Sequence, residues 1–184
     1  RTIFGEAMRS QARGQAQQQQ QQGGYQQEVQ ISFDEAYHGT TRQLQTSARK
    51  MQVHIPAGVK TGSKVRVAGA GPERSDLYLV VNVEEDERFE MNGNDLTTTS
   101  TVSIFTLLLG GDADVQTPAG KVVKLSIPAG TQPEQIFRLA GRGMPHLKGP
   151  TTKGDLFVKL KVQVPKYLSS KQRELLEEAA RIKF

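Results

Sequence analysis

From Gln27 onward, apolar residues alternate with polar ones at the period of a strand with one buried face. Val29, Ile31 and Phe33 set the pattern, and Asp34-Glu35-Ala36-Tyr37 then interrupts it with one short helical turn that Gly39 stops. Further strands are predicted at Arg42–Thr46, Met51–Ile55, Lys64–Val67 and Leu77–Val83. Gly, Pro or Asn bounds each one and supplies the backbone freedom that tight turns need. Near the end of the chain the period lengthens. Ser169 and Gln172 carry a capping-box signature, and Leu168, Leu175, Leu176 and Ala179 fall on one face of a helix. That stripe either packs on its own domain or faces a second subunit.

The order of elements then recurs. Ser32-Phe33 through Gly39 corresponds to Ser103-Ile104 through Gly110 at an offset of 71. Ile55-Pro56-Ala57-Gly58 returns as Ile127-Pro128-Ala129-Gly130 at an offset of 72. Arg66, Gly69 and Gly71 have counterparts in Arg138, Gly141 and Gly143 in the same register. Asp76-Leu77 matches Asp155-Leu156 at an offset of 79, so seven residues are inserted within Met144 to Gly154, where an exposed loop is expected. Register held over so long a stretch indicates duplication. In each Ile-Pro-Ala-Gly segment, proline ends a strand after a buried isoleucine and glycine turns the chain, with no chemistry of its own.

The predicted fold is mainly β: two tandem, similar β-domains with short helices, plus a C-terminal helix. Residues 1–26 carry the glutamine run Gln17–Gln22 and Gly23-Gly24 and are expected to be a flexible linker. The chain opens on arginine rather than methionine, as a segment of a longer protein would. Residues 27–96 are expected to form the first β-domain, 97–168 the second, and 169–184 the helix, a candidate dimerisation element.

Composition removes several function classes. The chain has no cysteine, which excludes disulfides and thiolate–metal sites and fits a reducing, cytoplasmic setting. Its most apolar run, Ile104–Leu109, is far short of the roughly 20 residues that span a bilayer, and no signal peptide opens it. The net charge of +5 invites a DNA-binding reading, but 24 basic residues are scattered among 19 acidic ones without a basic block. A mixed, solvated surface is the stronger reading. His38, His54 and His146 have no metal-ligand spacing, and Glu84-Glu85-Asp86-Glu87 lacks the alternation of a calcium loop. The Gly-x-Gly pairs lack the third glycine of a nucleotide fingerprint, and no serine sits in a nucleophile elbow. The sequence therefore predicts no enzyme, cofactor or metal, and binding or scaffolding takes their place.

A β-module binds polypeptide most directly at a free strand edge or groove, where main-chain bonds give affinity and apolar pockets choose side chains. The first repeat offers Val29, Ile31 and Leu44, with Arg42 and Lys50 nearby and Phe89 placed to close a pocket. Each of these apolar residues is either a wall of that pocket or filling for a small core.

The arrangement resembles the C-terminal substrate-binding region of DnaJ-type co-chaperones, the J-domain proteins, over residues 27 to 184. It does so through Ser32-Phe33-Asp34-Glu35-Ala36 with Gly39, both Ile-Pro-Ala-Gly segments, both Arg-x-x-Gly-x-Gly runs, Gly154-Asp155-Leu156, and Phe89 with Gly93-Asn94-Asp95-Leu96. The resemblance implies two β-sandwich domains and a C-terminal dimerisation element that gives a homodimer. Without cysteines it implies the zinc-free class, which includes the bacterial curved-DNA-binding proteins. A J-domain, absent from this sequence, would lie upstream. The implied groove comprises Val29, Ile31, Leu44, Thr46 and Phe89, and binds unfolded client polypeptides for delivery to a DnaK-type chaperone. Arg42 and Lys50 match positions that hold an acidic tail of the partner chaperone in some relatives. Leu175, Leu176 and Ala179 are the expected dimer contacts. DNA binding, or a purely architectural dimerising role, is the alternative.

Overall fold

The computed structural model describes residues 25–46 and 50–183. The glutamine run expected to be a flexible linker lies outside them, whereas Tyr25 and Gln26, assigned to that linker, already belong to the first strand. The chain divides into two compact units, residues up to Asp86 with Leu147–Pro150, and Glu87–His146 with Thr151 onward.

The first unit opens with β1 (Tyr25–Ile31), followed by α1 (Phe33–His38), the strands β2 (Thr40–Gln45) and β3 (Lys50–Ile55), then β4 (Lys64–Val67) and β5 (Leu77–Val83). β4 and β5 have the bounds the sequence predicted, and β2 starts earlier and ends sooner than expected. β5 is central in a three-stranded sheet, with β1 parallel on one side and β4 antiparallel on the other. β2 and β3 form a separate antiparallel hairpin. Alternation sends Leu44 and Val53 from that hairpin into one cluster with Val67, Ala70, Leu77 and Leu79. Two layers thus share one apolar filling, and each large aliphatic side chain fully buried there contributes about 1.5–3 kcal/mol.

The second unit repeats the plan with additions. Its elements are β6 (Glu90–Asn92), β7 (Asp95–Ser103), α2 (Ile104–Leu109), β8 (Gly111–Gln116), β9 (Val122–Ile127), β10 (Ile136–Leu139), β11 (Pro145–His146), β12 (Gly149–Lys153), β13 (Leu156–Gln163) and α3 (Ser170–Arg181). β7 runs parallel to β13 as β1 does to β5, and β8–β9 answers β2–β3. The sheet gains a fourth strand, in the order β10-β13-β7-β6. The boundary expected after residue 96 falls inside β7, because β6 and β7 hydrogen-bond within this sheet. The insertion is not a plain loop. Met144 and Pro145 are buried, and β11 pairs with β12. Ser169 caps α3 in a capping box with Gln172, as its sequence signature predicts.

One junction recurs in both units and ties helix to hairpin. α1 has only six residues, too few to hold as an isolated helix. Ser32 and Glu35 close its N-terminus reciprocally, and Gly39 ends it at φ 78°. A Cβ on Gly39 would lie 3.0 Å from the Ala57 nitrogen and 3.2 Å from the Ile55 oxygen. The Gly58 N–H then donates to the Ala36 carbonyl at 2.8 Å. In the second unit Gly110 has φ 81° and stands 3.1 Å from the Ala129 nitrogen by the same measure. There the Gly130 N–H donates to the Leu107 carbonyl at 2.8 Å. The Ile-Pro-Ala-Gly segments are therefore docking turns for the short helices.

Gly39→Ala forces a side chain into a left-handed conformation against backbone atoms. It is expected to destabilise the first unit by about 1–3 kcal/mol. Urea unfolding monitored on that unit checks this, and a midpoint unchanged from the parent would contradict the junction's role.

Candidate functional site

In the first unit, β1 pairs with β5 and β2 pairs with β3, each on one side only. Among the described residues no strand covers the other edge of either. Arg42 reaches from β2 towards both β1 and α1. Its Nη2 donates to Glu35 Oε2 at 2.6 Å and to the Gln30 carbonyl at 3.5 Å.

Glu35 is the hub of this corner. It accepts from the Ser32 backbone N–H at 3.0 Å and from the Thr40 hydroxyl at 3.2 Å, in addition to Arg42. The Ser32 N–H chiefly holds its carboxyl below the usual glutamate range. Thr40 and Arg42 add to this, while partial burial works against it. The second copy has Thr106 and Ala113 in place of Glu35 and Arg42, so the network belongs to the first unit alone.

The anticipated groove residues do not all meet. Leu44 lies in the core cluster, and Val29 is half-buried against it, alongside Met51 and Val65. Ile31 is 1% exposed, so it fills the core rather than lining a surface. Thr46 lies at the wall of an open cleft. Phe89 is buried in the second unit beneath the Arg88 guanidinium, which stands 5.4 Å from its ring centre. Lys50 is exposed at the start of β3, paired across the hairpin with Gln45. Sequence reasoning missed Met51, Val65 and Glu35. Met51 and Val65 share strand faces with Val53 and Val67, and Glu35 stands three residues after Ser32 in a capping-box pattern, so both signals were present.

The duplicated Arg–Gly–Asp grouping is structural. Asp76 Oδ2 accepts from Arg66 Nε at 2.7 Å while its Oδ1 accepts from the Gly69 N–H at 3.3 Å. Asp155 does the same with Arg138 at 2.6 Å and Gly141 at 2.9 Å. The Gly141 N–H is the main reason the Asp155 carboxyl sits below its ordinary range. Each aspartate thereby fastens a turn glycine to the strand before it, consistent with reading these glycines as turns.

Nothing in α3 is buried: Leu175 is 52% exposed, Leu176 half-buried and Ala179 exposed. Among the described residues no cluster of His, Asp or Glu has metal-binding geometry, and no helix is long and apolar enough to cross a membrane.

These features define a class: a duplicated β-module whose first copy has strand edges that no described residue pairs with, beside a partly exposed apolar floor. The family described as DnaJ C terminal domain matches residues 25–165, and the chain belongs to that family. It is 40% identical over 151 residues to the chaperone protein DnaJ of Deinococcus proteolyticus, which covers 82% of this chain and 48% of that protein. It is 43% identical over 144 residues to chaperone protein DnaJ of Leptospira biflexa, covering 75% of this chain and 38% of the relative. For the DnaJ of Brevibacillus choshinensis the identity is 44% over 140 residues, with 73% and 37% covered. The chain therefore spans less than half the length of these relatives.

Because Glu35 titrates low in the folded chain, the stability it contributes is complete above its unfolded value and lost as pH falls through the folded one. Glu35→Gln is expected to lower the urea midpoint at neutral pH and to flatten the decline on the acid side. A pH series of unfolding midpoints measures both. An acid limb as steep as the parent's would remove Glu35 from the account.

Proposed function

We propose that the first unit binds extended apolar segments of unfolded client proteins, as the client-holding part of a co-chaperone that passes them to a DnaK-type chaperone. The carrying observation is an edge of β2 that no strand among the described residues covers, beside an apolar floor from which Val29, Met51 and Val65 remain partly exposed. An added strand would satisfy main-chain donors and acceptors at that edge whatever its sequence, while the floor favours apolar side chains. Family membership and the names of the relatives support the same reading.

The proposed groove consists of Val29, Leu44, Thr46 and Met51, with Ile31 beneath it. Phe89 is a buried side chain of the second unit. Arg42 and Lys50 flank it with positive charge suited to an acidic tail of the partner chaperone. Arg42 is shared with Glu35, so Lys50 is the freer contact. We place the chain in the zinc-free class, since it contains no thiolate ligand. The exposed stripe of Leu175 and Ala179 on α3 is proposed as the contact of a homodimer. DNA binding ranks behind, because acidic groups pair with basic ones across the surface, as in Arg66–Asp76 and Arg138–Asp155.

Chemical-shift mapping with an apolar peptide on labelled protein is expected to perturb amides of β1 and β2 foremost. Val29→Ser and Met51→Ser should each weaken that peptide roughly 5- to 30-fold; both side chains also pack on the core cluster, so a lower unfolding midpoint accompanies the change and affinity is compared where each variant remains folded. Parent-like affinity in both variants would move the site elsewhere. For the dimer, Leu175→Glu should shift sedimentation velocity towards the monomer, and a parent already monomeric would exclude α3 as an interface.

A further inference from the structure

The chain has three asparagines, and their surroundings differ. Asn82 lies inside β5, beside Gln30 of β1 in the sheet. Its Oδ1 accepts from the Thr61 hydroxyl at 3.4 Å, and the N–H of buried Val83 donates to that same hydroxyl at 3.0 Å. Asn94 is tied down twice: its Nδ2 donates to the Pro145 carbonyl at 2.8 Å, and its own carbonyl accepts the Met144 N–H at 2.8 Å. Asn92 is exposed at the end of β6, the three-residue edge strand of the second unit's sheet, and Gly93 follows it. Gly93 is exposed too, takes φ 65° and has nothing within 4 Å of the place a Cβ would occupy. Among the described residues, no hydrogen bond holds the Asn92 side chain or the Gly93 N–H.

We propose that Asn92-Gly93 is a site of spontaneous modification, where the folded chain deamidates through a cyclic imide and β6 loosens as a result. The Gly93 nitrogen attacks Asn92 Cγ. The N–Cγ bond forms, the Cγ–Nδ2 bond breaks, and Nδ2 leaves as ammonia with the proton that the Gly93 nitrogen gives up. Water then adds to either carbonyl of the five-membered ring. Opening at one leaves aspartate; opening at the other leaves isoaspartate, whose main chain runs through the former side chain. The attacking nitrogen belongs to a glycine, so no Cβ crowds the ring. Asn92 must leave its extended conformation before the ring can close, and this needs only the end of an edge strand to open, far less than global unfolding. The same step at Asn82 would disrupt β5 in mid-sheet and close against β-branched Val83. At Asn94 the amide that has to leave is the one bound to Pro145. The product acts on the corner in two ways. Asn92 stands opposite Asp95, so a carboxylate at position 92 sets like charges against each other across the β6–β7 pair. An isoaspartyl link also adds a methylene to the turn that seats Asn94, shifting β6 against its partner.

The full chain, kept folded at mildly alkaline pH and physiological temperature, tests the site when peptide fragmentation follows the mass of each asparagine over time. Asn92 is expected to convert to the acid several-fold faster than Asn82 or Asn94. Its rate should rise with pH, because the deprotonated nitrogen is the nucleophile. The product should include isoaspartate, read out by labelling with an isoaspartyl carboxyl methyltransferase, and Asn92→Gln should remove that label. Amide exchange in β6 is expected to be faster in the converted chain than in fresh protein. An Asn92 that stays intact in the folded chain while the urea-unfolded chain converts it would overturn the inference. Equal rates at the three asparagines, a label that persists in Asn92→Gln, or unchanged exchange in β6 after conversion would do so as well.

Discussion

The short helix in each unit depends on a close approach that only glycine permits. Gly39 and Gly110 bring the helix end against the backbone of an Ile-Pro-Ala-Gly turn, and the turn returns one N–H to a helix carbonyl. A six-residue helix has too few internal bonds to persist alone, so this junction, with the serine N-cap, gives it a fixed position. The rest follows from that position. The strand before the helix enters one sheet, while the strand after it enters the hairpin of the opposite layer. Arg42 of β2 reaches the Gln30 carbonyl of β1 as well as Glu35 of the helix.

On this shared frame the copies have diverged in what they leave open. The first unit places Glu35, Thr40 and Arg42 around the helix start, and Glu35 has no acidic counterpart in the second. The second unit closes its equivalent corner with β6, a buried Met144 and two glycines that admit the Asn94 carbonyl. The first has Pro72 and Ser75 at the positions of Met144 and Gly154 and keeps a cleft. Among the described residues, the second copy is the more completely paired.

Much of the frame was legible in the chain. β4 and β5 have their predicted bounds because alternation ran cleanly between Gly, Ser and Asp punctuation. The aligned repeats placed the second set of elements without separate analysis. β6 was not legible: Glu90-Met91-Asn92 is too short to show a period, and its partner is fixed by pairing rather than composition. The boundary expected after residue 96 accordingly falls within β7, and Phe89 belongs to the second unit. At the site, alternation correctly put Val29 and Ile31 on one face of β1. It did not show that Ile31 would be sealed while Val29 stays half-exposed, because that depends on what the opposite layer covers.

The sequence by itself determined the duplication, the helix caps, the turn glycines and the inward face of each strand. These are local matters, decided by backbone freedom at Gly and Pro and by the two-residue period of a strand. Only the tertiary structure decided that β1 pairs in parallel with β5, that β7 pairs in parallel with β13, and which edges are unpaired among the described residues. Those outcomes join residues far apart in the chain, through hydrogen bonds whose donors and acceptors are the same at every position. Sequence carries no label for such a choice until packing has made it.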